Sequence, residues 1–239
     1  MFRDLPAYLR TRGLARTVRE FPRYLKHRRL RHGYYTDYYD AESAAGFDAR
    51  FETDTTGIVE AYQFGRAEGS GSHRYEAVSV ESFEEAIAAV GSDVEGAAFI
   101  DIGAGKGRAV LLASHLPFRE LVALDLSAEM LATTASNFER YQPPEKSCHE
   151  LTTICHDALQ YELPDEPLVL YLFNPFSADV MTAFVERVEA SLERSPRMIT
   201  VLYVNPICAA FAESGAFELR AEGSAGRQRW QCFRSRSGA

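Results

Sequence analysis

The apolar positions of this chain change rhythm at Ala98. Beyond it, short runs of branched and aromatic residues alternate with stripes at helical spacing. The runs predict strands over 97–102, 121–126, 151–155, 168–173 and 198–204. The stripes predict helices over 107–115, 178–192 and 207–214 between them. A further helix starts at Ser127, which caps it, with Glu129 in the first turn and Met130, Leu131, Ala135 and Phe138 as its buried face. Two runs at the end, 217–222 and 228–233, flank a turn at Gly223–Gly226 and predict a hairpin. Regular alternation of strand and helix followed by a hairpin predicts a doubly wound α/β domain. Its sheet is mostly parallel with an antiparallel addition.

The N-terminal part follows other patterns. Residues 2–31 place Phe2, Leu5, Leu9, Leu14, Val18, Phe21, Leu25 and Leu30 three to five apart among arginines, which predicts one or two amphipathic helices. Residues 33–75 are aromatic and polar with little periodicity, and read as a long irregular cover near the α/β domain. A short helix over 82–91 follows, capped by Ser79 or Ser82, with Phe83, Ala86, Ile87 and Val90 on one face and Gly91 at its end. The chain thus divides into a basic arm over 1–32, a cover over 33–95 and an α/β domain over 96–235.

Candidate chemistry gathers after the first strand of the α/β domain. Asp101-Ile102-Gly103-Ala104-Gly105-Lys106-Gly107 is a glycine-rich turn between strand and helix, where backbone can approach a ligand closely. It departs from the dinucleotide fingerprint, because Arg108 stands where the third glycine would be. It also departs from a P-loop, because Lys106 is followed by Gly107 and not by Ser or Thr. Polar residues end the other strands: Asp125, Asp157, Asn174 and Asn205. In an open parallel sheet these carboxyl ends are where ligands bind.

Charge alters the picture mainly through its placement. The formal net charge is -8, which argues against a general nucleic-acid surface. Yet residues 1–32 carry ten Arg or Lys against two acidic residues, so the remainder stands at -16. The arm can pack on the body, or contact RNA or an anionic membrane surface. Cys148, Cys155, Cys208 and Cys232 are scattered and suggest neither a disulfide framework nor a metal site. No signal peptide or transmembrane run is evident, which predicts a cytoplasmic protein, with peripheral membrane association open through the arm.

The pattern Asp101, Gly103, Gly105, Gly107 resembles motif I of the class I S-adenosylmethionine-dependent methyltransferases. That resemblance covers the chain from Phe99 to the C-terminus and implies a seven-stranded Rossmann-like sheet with an antiparallel seventh strand. It implies S-adenosyl-L-methionine as cofactor, with Asp101, Gly103, Ala104, Gly105 and Gly107 along its methionine portion. Asp125 and Leu126 match the ribose-binding position, and Asp157 and Ala158 the position beside the adenine amino group. Asn174-Pro175-Phe176 matches motif IV, near the transferred methyl, so that Asn174 faces both cofactor and acceptor. The motif is similar to the Asn/Asp-Pro-Pro-Tyr/Phe of amino-group methyltransferases but lacks the second proline. The stretch Phe99 to Arg108 together with Phe173-Asn174-Pro175-Phe176 also resembles the Dot1-type histone-lysine methyltransferases and their bacterial relatives.

These likenesses imply methyl transfer to an acceptor of unidentified nature, small molecule or protein, with a nitrogen nucleophile as one option. Asn174, Phe176 and Tyr203 are the candidate catalytic residues, with Asn205 beside them and Asp54 and Tyr35 entering from the cover. His73, His149 and His156 are weaker candidates for a base. Two other readings stay open: a non-catalytic cofactor-binding protein on the same fold, and a nicotinamide-dependent oxidoreductase.

Overall fold

The computed structural model describes residues 41–59, 74–144, 146–225 and 228–236. The basic arm, Tyr35 and His73 lie outside the described residues. Within them, seven strands form a single sheet: β1 (Ala98–Ile102), β2 (Glu120–Asp125), β3 (Leu151–Cys155), β4 (Leu168–Phe173), β5 (Ile199–Val204), β6 (Phe217–Ala225) and β7 (Gln228–Ser235). Their order is β3-β2-β1-β4-β5-β7-β6. The first five are parallel; β7 joins β5 antiparallel, and β6 pairs with β7 at the edge. Strand order reverses between β1 and β4, which makes their carboxyl ends a crevice.

Both faces of the sheet are covered, as continuous burial of β1 demands. On one face Phe99, Leu121, Val169, Tyr171, Leu202 and Trp230 share a core with three helices and the N-terminal segment. These helices are α2 (Val80–Ala88), α3 (Arg108–Ala113) and α4 (Ala128–Arg140). On the other face Ile100, Leu170, Val201 and Tyr203 meet α5 (Ala178–Arg194) through Met181, Phe184, Val185 and Val188. The short α6 (Ala210–Glu213) adds Phe211 to that second core.

Several expectations need correction. The cover is not irregular throughout: α1 (Ala41–Phe51) lies within it. Phe47 and Phe51, four residues apart, meet Tyr141 with ring centroids 5.6 and 4.6 Å away. Burying Phe47 there contributes about 2 kcal/mol. Glu52, at φ 56°, takes the left-handed conformation just past the helix. The helix after Ser79 ends at Ala88, and Gly91 opens a 3-10 turn instead of closing that helix. Ser79 is the cap, its hydroxyl accepting from the Ser82 amide at 3.1 Å. Strand β6 continues through Gly223, because the missing side chain there leaves room for Trp230. An added Cβ would lie 2.5 Å from the indole. Finally, α4 buries polar Thr134 and Asn137 beside Met130, Leu131 and Phe138, while Ala135 is only half-buried.

Among the described residues no helix is long and apolar enough to cross a membrane, and no cluster of His, Cys, Asp or Glu could hold a metal ion.

Candidate cofactor-binding site

The loop after β1 hangs from β2: the Gly103 and Ala104 amides both donate to the Leu124 carbonyl, at 2.8 and 3.1 Å. Each glycine then admits a different neighbour. A Cβ on Gly103 would lie 2.9 Å from the Pro175 side chain, on Gly105 2.1 Å from the Tyr75 ring, and on Gly107 2.5 Å from Thr134. Gly105 and Gly107 also sit at φ 57° and 81°, a region that side chains disfavour. Much of the space these glycines leave is therefore filled by the protein itself.

The loop's charged residues are tied to the N-terminal segment. Lys106 Nζ donates to Asp54 Oδ1 at 2.6 Å and to the Thr56 carbonyl at 3.0 Å. Arg108 is buried, with its guanidinium 4.0 Å from the Phe47 ring centroid. Its Nε donates to Thr55 Oγ1 at 2.5 Å, and Nη2 lies 3.5 Å from Asp48 Oδ1. Burial pushes the Asp48 carboxyl up, but hydrogen bonds from Thr55, Thr53 and Thr56 outweigh it and hold the group below the ordinary carboxylate range. Asn137 completes the clamp. Its amide donates to the Asp54 and Lys106 carbonyls, and its oxygen accepts from the Asp54 amide at 2.7 Å. Asp54 thus holds the loop's Lys106 and is not among the cavity-lining residues.

A cavity opens at the carboxyl ends of β1, β2 and β4. Its wall includes Asp101, Gly103, Ala104, Gly105, Asp125, Leu126, Asp157, Ala158 and Phe176, all marked by the sequence. Asp125 Oδ2 accepts from the Gly105 amide at 3.0 Å and Oδ1 from the Ser127 amide at 2.8 Å. Asp157 Oδ1 accepts from the Leu159 amide at 2.9 Å, so it also shapes the turn after β3. Leu126 is 48% exposed, an apolar side chain left open at the rim. Asp101 is buried; burial, reinforced by the Asp125 carboxylate, drives its pKa well above the ordinary range.

Gly107 and Asn174, both marked by the sequence, are not among the cavity-lining residues; Asn174 stands between Phe173 and Pro175, which are. It holds the left-handed conformation, φ 44°, and its buried Oδ1 has no hydrogen-bond partner. Two other candidates serve the framework. Tyr203 packs in the opposite core against Phe211, and its hydroxyl accepts from the Ile207 amide at 3.3 Å. Asn205 ties β5 to the hairpin: its amide donates to the Arg229 carbonyl and its side-chain oxygen accepts from the Arg229 amide. Neither lines the cavity. His156 does, at an exposed position, whereas His149 does not.

Sequence reasoning missed Arg74, Tyr75, Glu76 and Tyr171 as cavity residues. Tyr171 is masked by its apolar strand, and 74–76 by following an irregular stretch. A tyrosine hydroxyl in the middle of a fully buried strand is the signal that could have found the first.

Residues 99–195 match the family model described as a methyltransferase domain. Among solved structures, the putative methyltransferase yhhF from Escherichia coli superposes with a TM-score of 0.51 at 11% identity, covering 76% of this chain and 99% of that one. Magnesium protoporphyrin IX methyltransferase from Synechocystis PCC 6803, solved with bound S-adenosylmethionine, gives 0.49 at 13% identity over 82% of this chain and 94% of that one. Ribosomal protein L11 methylase from Lactobacillus delbrueckii subsp. bulgaricus gives 0.48 at 17% identity, over 65% and 79%. No curated protein matches the chain. The Escherichia coli likeness and the strand order agree on the fold. It is the Rossmann-like fold of the class I S-adenosylmethionine-dependent methyltransferases.

Proposed function

We propose that the chain transfers a methyl group from S-adenosylmethionine to a nitrogen nucleophile. The observation that carries the cofactor reading is a single cavity lined by Asp101, the Gly103–Gly105 loop, Asp125, Asp157 and Phe176. Its donors and acceptors suit an adenosine bearing an amino acid. Asp125 accepts the two ribose hydroxyls through charge-assisted bonds. Leu126 and Ala158 offer apolar surface to the flat base, and Asp157 accepts from its amino group. When bound, S-adenosylmethionine supplies an activated methyl on a positively charged sulfur.

The chain's own part is to orient the acceptor and exclude water. Phe173, Pro175 and Phe176 form the dry wall. The unpartnered Oδ1 of Asn174 favours an acceptor that donates a hydrogen bond, as an amine N–H does, because a buried acceptor atom left without a donor is costly. Asn174 has no proton to gain near neutral pH, so it aligns the lone pair of the nucleophile and does not deprotonate it. The likeness of Phe173 to Phe176 to motifs of amino-group and Dot1-type lysine methyltransferases points the same way.

The test is calorimetric titration with S-adenosylmethionine, S-adenosylhomocysteine and NAD, followed by labelled-methyl transfer to amine and hydroxyl acceptors. Saturable binding of the first two alone, with label on amines, is expected. Asp125→Ala should weaken S-adenosylhomocysteine about tenfold or more, as loss of charge-assisted hydrogen bonds requires. Binding of NAD in their place would overturn the reading.

A further inference from the structure

Two polar atoms on the cavity wall are left over after the motif residues have been assigned. Glu76 lines the cavity with its side chain 11% exposed; Oε2 meets Arg74 Nη2 at 3.1 Å, while Oε1 is buried without a hydrogen-bond partner. Tyr171 lines it too, 1% exposed, and its hydroxyl likewise has no partner. Tyr171 pairs in register with Asp101 on the neighbouring strand, so both side chains emerge on the same face. Burial, reinforced by the Asp101 carboxylate and then by Tyr75, raises the Tyr171 pKa well above the ordinary value. Tyr171 therefore stays a protonated phenol whose oxygen can accept.

Three oxygen-bearing groups thus line the cavity: Glu76, Tyr171 and Asp101. Burial pushes both carboxyls above their ordinary range, Asp101 the further. Arg74 serves one oxygen of Glu76 only; the oxygens it leaves are costly without a donor and well matched to a second cation. An ammonium brings three donors and a positive charge, enough to serve all three groups.

We infer that Glu76, with Tyr171 beside Asp101, receives the α-ammonium group of the amino-acid portion of the bound nucleoside. The inference rests on the cofactor reading above and extends it to a residue ahead of the matched domain. The segment from Arg74 to Val78 then forms part of the cofactor site. Tyr75 lies against Gly105, and Glu76 closes the charged end.

The experiment compares two ligands that differ in that portion. S-adenosylhomocysteine carries the amino acid; 5′-methylthioadenosine keeps the nucleoside and thioether without it. Full-length wild type, Glu76→Gln and Tyr171→Phe are titrated with each by calorimetry, with circular dichroism and thermal melts to verify folding. Glu76→Gln should weaken S-adenosylhomocysteine about tenfold or more, the scale of a hydrogen bond to a charged group, and leave 5′-methylthioadenosine within about twofold. Tyr171→Phe, close to isosteric, should show the same selectivity with a smaller loss. Equal loss for both ligands, or none for S-adenosylhomocysteine, would overturn the assignment while the cofactor reading stood. A wild type that binds neither ligand would overturn both.

Discussion

The loops after β1 and β4 touch at Gly103 and Pro175, yet they are finished to different degrees. The β1 loop is satisfied by the protein. Its carbonyls meet Thr134 and Asn137, its cations meet Asp54, Asp48 and Thr55, and its amides meet Leu124 and Asp125. The β4 loop leaves Asn174 Oδ1 buried and unpaired on a left-handed backbone. A cradle that is rigid before binding limits the entropy lost when a cofactor arrives. In the proposed reaction, the unpaired oxygen in the neighbouring loop is left to bond the methyl acceptor.

That contrast can be broken most severely at Arg108. Replacing Arg108 by Ala removes the stack on Phe47 and the bond to Thr55, and takes away the cation 3.5 Å from the buried Asp48 carboxylate. Urea unfolding should show a loss of about 3 kcal/mol, the scale of breaking a buried pair. A loss under about 1 kcal/mol would mean that the N-terminal segment does not hold the loop. Asn174→Gly sharpens the other side. Glycine keeps the left-handed backbone and removes only the side chain. Methyl transfer should slow about tenfold to thirtyfold, the worth of one catalytic hydrogen bond, with S-adenosylhomocysteine affinity unchanged. A matching loss of cofactor affinity would assign Asn174 to the first loop's work.

The smallest effect is one of pH. Asp48 has its folded pKa depressed by the threonine hydrogen bonds. Its contribution is complete above the unfolded carboxyl value of about 4 and is lost as pH falls through the folded one. Stability of the wild type should therefore fall more steeply below about pH 4 than that of Asp48→Asn, by acid titration of thermal melts. Parallel curves would place the clamp's strength elsewhere.

The β1-to-β5 scaffold was legible because fully buried strands read as apolar runs, and Ser127 announced α4 by its side chain. The clamp was not legible, because it uses polar residues on faces that periodicity assigns to core or solvent. Thr134 and Asn137 occupy helical positions that an apolar stripe would fill, and α1 shows only two large apolar residues, Phe47 and Phe51. The carboxylates at the ends of β1 and β2 and the Pro175–Phe176 wall followed from the strand-end rule, and the structure gathers them at one cavity. Tyr203 and Asn205 satisfied the same rule by position, but packing turned them toward the second core and the hairpin. Strand position alone does not say which side of the crevice a residue faces.

The N-terminal strap bears on where this protein can be cut. A fragment limited to the matched stretch, 99–195, would lack β5, β6 and β7 along one side of β4, and Asp48 and Asp54 as counter-charges for Arg108 and Lys106. The glycine loop would then carry two cations over an uncovered aromatic seam at Tyr141. The smallest heritable unit of this protein is therefore larger than its recognisable motif block. Substitutions at Lys106 or Arg108 should be tolerated only when the strap changes with them.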